Sequence, residues 1–177
     1  MHLQGKIILI TLIFIWLEHS AFAQKEASIW YFGHNAGLDF NSNYYPLPLQ
    51  NSVMQTQGGG TVISDKHSGE LLFYSNGEKI WNKNHHVMDN GNDLFGTSSA
   101  DQCALIVPFP GYPNRFYLFT IKAVYDNGIA SNMYYSIIDM SVDNGLGGVT
   151  TKNKMLVSNV TENQIAVKQI METIIGL

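Results

Sequence analysis

The sequence predicts an all-β fold made of small antiparallel sheets, and three observations point to it. Aromatic residues make up 12% of the 177 residues, and 16 glycines are present. Short runs rich in aromatic and β-branched residues alternate with Gly, Asn and Asp, the usual pattern of strands and turns. Two similar runs begin at Thr61 and Ala104, 43 positions apart, which is close to the length of one β-propeller blade.

The composition excludes two classes of protein. Charged residues make up 14% of the chain and hydrophobic residues 45%, whereas a disordered chain has few hydrophobic residues and a high charge. The net charge is −4, so the chain lacks the basic surface that nucleic acid binding needs.

Residues 1–23 have the three parts of a signal peptide. Lys6 precedes an apolar run at residues 7–17, and Ala-Phe-Ala at residues 21–23 supplies the small residues that a signal peptidase requires. As a helix, this run spans about 16 Å, roughly half of the hydrocarbon core of a bilayer. We therefore expect cleavage before Gln24 and export to the periplasm, the cell surface or the medium. No later apolar stretch predicts a membrane span after cleavage.

The first predicted strands lie at residues 28–32 and 61–64, followed by a returning strand at 70–74. Asn-Gly at residues 76–77 then predicts a tight hairpin, because both central residues of a type I′ turn need positive φ. Residues 79–82 form the next strand of that hairpin.

A second group of strands is predicted at residues 104–107, 115–120 and 133–139, with a loop at 126–128. Together the two groups predict that residues 28–157 are almost entirely β. Short strands at a period of about 40–45 residues are typical of propeller blades, and residues 24–160 make about three of them. An unrepeated β-sandwich is the alternative, because its strands have a similar spacing.

Residues 161–177 form a C-terminal tail with a different pattern. Thr161 followed by Gln164 fits a capping box. Apolar residues then fall on one helical face, at Val167, Ile170, Met171, Ile174 and Ile175. The pattern predicts a helix over 162–175 that partly covers an open sheet face.

Apolar residues in the middle of the strands are the predicted core. They are Trp30, Leu72, Trp81, Ile106, Val107, Phe119 and Ile137. Cys103 is the only cysteine of the chain and precedes an apolar run, so we interpret it as a buried side chain and not as a reactive thiol.

The best candidate for a metal site is His85-His86 with the Asp-rich segment 89–93. Adjacent histidines on a strand point to opposite faces, and the segment lacks the pattern of a calcium hand. A polar turn is the better interpretation. We predict no metal, cofactor or catalytic site in the chain.

Three further sequence features contain residue types that occur in catalytic or binding sites. Gln-Gly-Gly-Gly at residues 57–60 is not followed by the Gly-Lys-Ser/Thr of a phosphate loop, so it predicts a flexible entry into the next strand. Ser98 and Ser99 lack the Gly-x-Ser-x-Gly pattern of a nucleophile elbow. The tyrosine pairs at 44–45 and 134–135 are able to stack on sugars, although cross-strand pairing is the commoner role.

Residues 30–40, WYFGHNAGLDF, resemble the opening motif of large exported surface proteins of gliding bacteria. The resemblance continues through residues 69–77 (GELLFYSNG), 80–85 (IWNKNH) and 134–140 (YYSIIDM) and covers almost the whole mature chain. It implies a WD40-like β-propeller, which in that family precedes further modules and a type IX secretion sorting domain.

The tail departs from this family. In that family, the segment that resembles residues 166–168 is followed by a strand of the next blade. In this chain, residues 169–177 have a helix-compatible pattern instead. The resemblance therefore implies a truncated copy with an incomplete ring. Such a ring would leave the strand at 28–32 without the partner that the last blade supplies in many propellers, and its open sheet edges would favour self-association.

The sequence thus favours a non-enzymatic propeller segment of an exported surface protein, a scaffold that binds an extracellular protein or glycan. The alternative is a glycan-active propeller hydrolase or lyase, which needs acidic residues that converge at the centre of the ring. By their positions, Asp39, Asp65 and Asp101 are the candidates for that role.

Overall fold

The computed structural model describes residues 25–42, 44–123 and 131–166. These residues form ten strands in three antiparallel sheets, together with a single 3-10 turn at Asp143–Gly145. The predicted all-β class is therefore confirmed. Within the described residues, no helix has the length and apolar character needed to cross a membrane. The signal peptide and the loop at 126–128 lie outside these ranges.

The first sheet contains β1 (Ile29–Phe32), β2 (Ala36–Asp39) and β3 (Leu47–Leu49), in that spatial order. β1 pairs with β2 along its whole length and is an edge strand of this sheet. The hairpin forms because a tight turn, in which Gly33 has a φ of 58° and Asn35 a φ of 60°, folds the chain back at once. The expectation that this strand lacks a partner from a last blade stays a prediction.

The second sheet contains β4 (Thr61–Ser64), β5 (Leu71–Ser75) and β6 (Ile80–Asn82), also in sequence order. Its second hairpin has the Asn76-Gly77 pair in the connection, as predicted. The turn type differs from the prediction, because residues 76–79 make a four-residue loop. Only the glycine has a positive φ, and the Asn76 side chain accepts hydrogen bonds from two backbone N–H groups of the loop.

The third sheet has the spatial order β10-β9-β8-β7. Its strands are β7 (Ala104–Pro108), β8 (Arg115–Lys122), β9 (Ser131–Asp139) and β10 (Gly148–Val160). Repeated register shifts interrupt the pairing of β10 with β9. Residues 83–103 contain no named strand, so the prediction of nearly continuous β structure from 28 to 157 is too broad.

The second sheet is sandwiched between the other two. On one side Ile63, Phe73 and Ile80 pack against the third sheet, and the rings of Phe73 and Phe116 meet edge to face at 5.4 Å. On the other side Tyr74 and Trp81 pack against the first sheet. Each face of the second sheet therefore belongs to a separate hydrophobic core.

The predicted core is only partly correct. Trp81 and Ile106 are buried, and Leu72 packs against the core. Trp30 is 49% exposed, so its assignment to the core is wrong.

Val107, Phe119 and Ile137 are half-buried and alternate with fully buried neighbours. Leu118 and Ile138 occupy the inner face of the third sheet instead. Because side chains alternate along a strand, an error of one residue moves a side chain to the opposite face.

Residues 161–166, the beginning of the C-terminal tail, are not helical. The prediction of a helix over 162–175 is therefore wrong for residues 162–166. Gln164 does not cap a helix at Thr161. Its backbone N–H donates to the Gln102 side chain, and its side-chain amide donates to the Gln102 carbonyl. These bonds hold the tail in an irregular conformation. Residues 167–175 of the predicted helix lie outside the described residues.

Candidate functional site

The first strands of the three sheets lie side by side, β1 against β4 and β4 against β7. Where they meet, they border an open cleft of about 330 Å³. Its lining includes Trp30 and Phe32 from β1, Val62 from β4 and Leu105 from β7. The surface is mainly apolar and aromatic, which is the usual composition of a binding site.

Trp30 supplies the largest exposed aromatic ring of this cleft. Its indole N–H donates to the Ala27 carbonyl at 2.9 Å, and its ring lies 4.7 Å from that of Phe40. The indole is thus held in place while about half of it stays open to solvent. A fixed, exposed ring of this kind is suited to contact with a sugar face or with an apolar protein side chain.

A group of three titratable side chains lies where the first and second sheets meet, and one of them, Tyr31, also lines the cleft. The Tyr31 hydroxyl donates to the Asn51 side chain at 3.0 Å. The Tyr74 hydroxyl accepts from the Val53 N–H at 3.3 Å and lies 3.0 Å from Nδ1 of His85. Tyr74 thus joins the loop before β4 to the His85 ring.

The pKa values of this group fit a set of neutral hydrogen-bonding side chains. Burial, with the neighbouring Tyr74, raises the pKa of Tyr31 to about 12. Burial also raises the pKa of Tyr74. Burial and, to a lesser extent, the adjacent His86 lower the pKa of His85. Each of these shifts favours the uncharged form of its side chain.

The two adjacent histidines have different environments. His85 is half-buried and contacts Tyr74, whereas His86 is exposed. No group of three or more His, Cys, Asp or Glu residues that could hold a metal ion is found in the described part of the chain.

The Asp-rich segment 89–93 is a turn that contacts β10. The Asp89 carbonyl accepts from the Val149 N–H, and the Asn90 side chain donates to the Val149 carbonyl. The Asp93 carbonyl accepts from the Asn153 side chain at 2.8 Å. The segment thus joins the long loop after β6 to the outermost strand of the third sheet.

Residues 57–60 are packed tightly, which corrects their interpretation as a flexible entry. The backbone N–H groups of Gly58 and Gly59 donate to the carbonyls of Ser98 and Ala100. A Cβ on Gly58 would overlap the Ala100 carbonyl, so the glycine permits a close approach of two backbones. The Ser98 hydroxyl is itself bonded to Glu78.

Of the three candidate acids of the enzyme alternative, Asp39 ends strand β2, whereas Asp65 and Asp101 lie in turns outside the strands. Asp39 accepts from the backbone and side chain of Asn41. Asp65 accepts from two backbone N–H groups in the turn after β4, and these bonds lower its pKa. The Asp101 N–H donates to Glu162. Among the described residues, no hydrogen bond joins any two of these acids.

The lone cysteine and the tyrosine pairs can now be assigned. Cys103 is fully buried, its thiol donates to the Gly59 carbonyl, and burial raises its pKa to about 12. The interpretation of a buried thiol is confirmed. The Tyr135 ring meets Tyr117 of the adjacent strand at 5.9 Å, Tyr134 packs on a loop phenylalanine, and Tyr44 is 91% exposed.

Comparison with known proteins gives no relative from which a role can be transferred. No protein family, curated protein or solved structure matches the chain. The site is therefore defined by its own geometry. It is an aromatic cleft on an all-β protein, with a Tyr–His group beside it.

Sequence reasoning missed both parts of this site. The strand pattern predicts that Trp30 is in the core, and it predicts no role for Tyr74 beyond its place in a strand. The WYF run at residues 30–32 carried a usable signal, since three consecutive aromatic residues on a strand must place at least one ring on each face.

Proposed function

We propose that the chain is a propeller-type segment of an exported surface protein and acts as a non-enzymatic scaffold for binding or adhesion. The observation that carries this proposal is the convergence of three first strands on one aromatic cleft. In a propeller, each blade likewise contributes one strand to the wall of a central channel.

The relation between the second and third sheets supports a blade-like arrangement. Thr61 and Ala104, which are 43 positions apart, each begin the first strand of a sheet. The hydrogen bonds between the two segments advance in the same direction along both chains, from Gly59 with Ala100 just before the strands to Thr61 of β4 with Ile106 of β7. β4 and β7 therefore run in the same direction, as inner strands of successive blades do.

The chemistry of the cleft supports binding of an extracellular glycan or protein. The cleft offers the rings of Trp30 and Phe32 with a few polar groups. Aromatic side chains that keep one face open are common contact points in interfaces. The signal-peptide pattern and the resemblance of residues 30–40 to exported surface proteins give the proposed location.

Export is tested by expressing the full chain in a Gram-negative host. We expect a product whose mass begins at Gln24, located outside the cytoplasm. Ala23→Asp should block cleavage, because it removes the small residue of the cleavage pattern. Phe22→Ala is the matched control and should be processed normally. Retention of an uncleaved, cytoplasmic wild-type chain would contradict the proposal.

Binding is tested with the mature chain, residues 24–177, on immobilised polysaccharides and on intact bacterial cells. We expect binding that falls at least tenfold in Trp30→Ala. Tyr44→Ala is the matched control, because Tyr44 is exposed and does not line the cleft. Equal binding by both variants would contradict the proposal. Release of reducing or unsaturated sugars would favour the hydrolase or lyase alternative instead.

A further inference from the structure

The first and third sheets each have one face on which no other described sheet packs. The second sheet packs on both of its faces, against the first sheet on one side and the third on the other. The two uncovered faces therefore lie at the opposite ends of a three-sheet stack. Both of these faces are apolar.

The outer face of the first sheet carries three exposed aromatic rings. Trp30, Phe32 and Phe40 are 49%, 46% and 39% exposed. Trp30 and Phe32 alternate along β1 with the buried Ile29 and Tyr31, so they project away from the core.

The outer face of the third sheet is a continuous apolar surface of half-buried side chains. Its members are Leu105, Val107, Tyr117, Phe119, Tyr135 and Ile137. The Tyr117 ring stacks on Phe109 at 4.4 Å and on Phe119 at 5.6 Å. These contacts hold the rings in fixed positions and make a rigid surface for a partner.

We propose that two copies of this chain form a closed dimer, in which the outer face of the first sheet packs on the outer face of the third sheet of the other copy. Trp30, Phe32 and Leu105 line the same cleft, so both faces border it. A twofold axis through the cleft places the first-sheet face of each copy against the third-sheet face of the other copy, so the two contacts form together. The closed form rests on the proposed propeller arrangement, because six sheets lie within the usual range of about four to eight blades.

The available area sets the expected strength of the dimer. A large aromatic side chain presents about 200 Å² when fully exposed, so the two faces together offer roughly 500 Å². The closed dimer buries this area twice, or about 1,000 Å², near the lower limit for a specific interface. We therefore expect a dimer that dissociates on dilution and not a permanent one.

The test measures the mass of the mature chain by sedimentation and light scattering from 1 to 200 µM, at concentrations chosen to bracket a weak interface. We expect a monomer at the low end and twice that mass at the high end. Phe32→Glu and Val107→Glu should each abolish the dimer, because a charge on either face disrupts both contacts. Val87→Glu is the matched control, since Val87 is 40% exposed in the loop after β6 and lies on neither of the two outer faces.

A mixing experiment identifies which faces meet and shows that the variants fold. Phe32→Lys and Val107→Glu should each be monomeric alone. Mixed in equal amounts, they should form a heterodimer, in which one contact is wild type and the other pairs the lysine with the glutamate. Dimers formed by Val107→Glu alone, or no dimer in the mixture, would overturn the proposed contact.

Two results with the wild-type chain would also overturn the proposal. One is a monomer at 200 µM, a concentration at which a weak specific interface should associate. The other is growth to ever larger masses, which indicates a head-to-tail contact that does not close. The export test does not depend on association, and the Trp30→Ala binding test is made at a concentration where the chain is monomeric, so failure of the dimer and failure of the proposed function are distinguishable.

Discussion

The Tyr74 hydroxyl lies 3.0 Å from Nδ1 of His85 and ties the turn after β6 to the core between the first and second sheets. Tyr74 is fully buried, and its ring stacks on Trp81 at 5.3 Å. His85 has a φ of 62°, a left-handed conformation that brings its side chain back toward the tyrosine. This bond makes the histidine part of the folded core.

Stability is expected to fall when the pH drops below about 6.5, the ordinary pKa of histidine. Burial lowers the pKa of His85 in the folded chain, so the folded state binds fewer protons than the unfolded state near this pH. The free energy of unfolding is therefore highest above pH 6.5 and decreases as the pH falls through that value. Urea unfolding at pH 7.5 and 5.5 measures the difference.

His85→Asn should reduce this pH dependence, because asparagine tolerates positive φ and does not titrate. His86→Asn is the matched control and should keep most of it, since burial has a larger effect on the pKa of His85 than the exposed His86 does. Tyr31 and Tyr74 also face His85, but their raised pKa values keep them out of this pH range. Equal pH dependence in the wild type and in His85→Asn would contradict the assignment.

Tyr74→Phe should lower the free energy of unfolding by about 0.5–1.5 kcal/mol, because it removes hydrogen bonds to two partly buried polar groups. These groups are the Val53 N–H and Nδ1 of His85. Tyr45→Phe is the control, since Tyr45 is 66% exposed. Urea midpoints at pH 7.5 check the prediction, and a loss no larger than that of the control would contradict it.

The sequence predicts the strands well where aromatic and β-branched residues are concentrated. β4 begins and ends at the predicted residues, and β8 and β9 are only slightly longer than expected. β2 and β3, with the sequences AGLD and LPL, were not predicted because they contain glycine and proline and lack an alternating pattern. Their pairing with β1 depends on the turn after Phe32.

The sequence is less informative about which face of a strand is buried. In β8, Phe116 and Leu118 point inward while Tyr117 and Phe119 point outward, and all four are apolar or aromatic. The alternation of side chains along β8 therefore shows that the strand has two apolar faces. It does not show which of the two faces packs against the second sheet. For the same reason the Tyr74–His85 contact was not predictable, since it requires knowing which face of β5 meets the first sheet.

Asp139→Asn should lower the free energy of unfolding by about 1–3 kcal/mol, because a charged acceptor is replaced at a partly buried ion pair. The Asp139 carboxylate accepts from the Ser141 backbone and hydroxyl and lies 2.8 Å from Arg115 Nε. The Ser141 hydrogen bonds, with a smaller effect of Arg115, lower the pKa of Asp139.

The stabilisation by this carboxylate is present above pH 3.8, its ordinary pKa, and decreases as the pH falls through the lowered folded-state value. Acid unfolding of Asp139→Asn should accordingly be less steep than that of the wild type. Asp143→Asn is the control, because Asp143 is exposed. An unchanged acid transition in Asp139→Asn would show that the ion pair contributes nothing to the pH dependence.

Gly77→Ala should be more destabilising than Gly111→Ala by at least about 1 kcal/mol, although both glycines have a similar positive φ. The φ values are 85° at Gly77 and 80° at Gly111. A Cβ at Gly77 would lie 3.0 Å from the Cys103 carbonyl oxygen, whereas one at Gly111 meets nothing within 4 Å. Since the backbone strain is nearly the same, the difference in urea midpoint isolates the clash. Equal losses would show that the loop moves away from Cys103.

Trp81→Ala should lower the free energy of unfolding by about 3–5 kcal/mol, the usual effect of removing a buried large aromatic side chain. Trp81 is 7% exposed and belongs to the core that joins the first and second sheets, where it stacks on Tyr74. Trp30→Ala is the matched comparison, because the same substitution at a ring that is 49% exposed leaves no internal cavity. We expect it to change stability by less than about 1 kcal/mol.

Both variants are measured by urea unfolding followed by circular dichroism. The measurement is made at a concentration where the chain is monomeric, so that an effect of Trp30 on association does not contribute. Similar losses for the two variants would mean that the outer face of the first sheet is covered in the folded monomer, and that Trp30 stabilises the fold as much as Trp81 does.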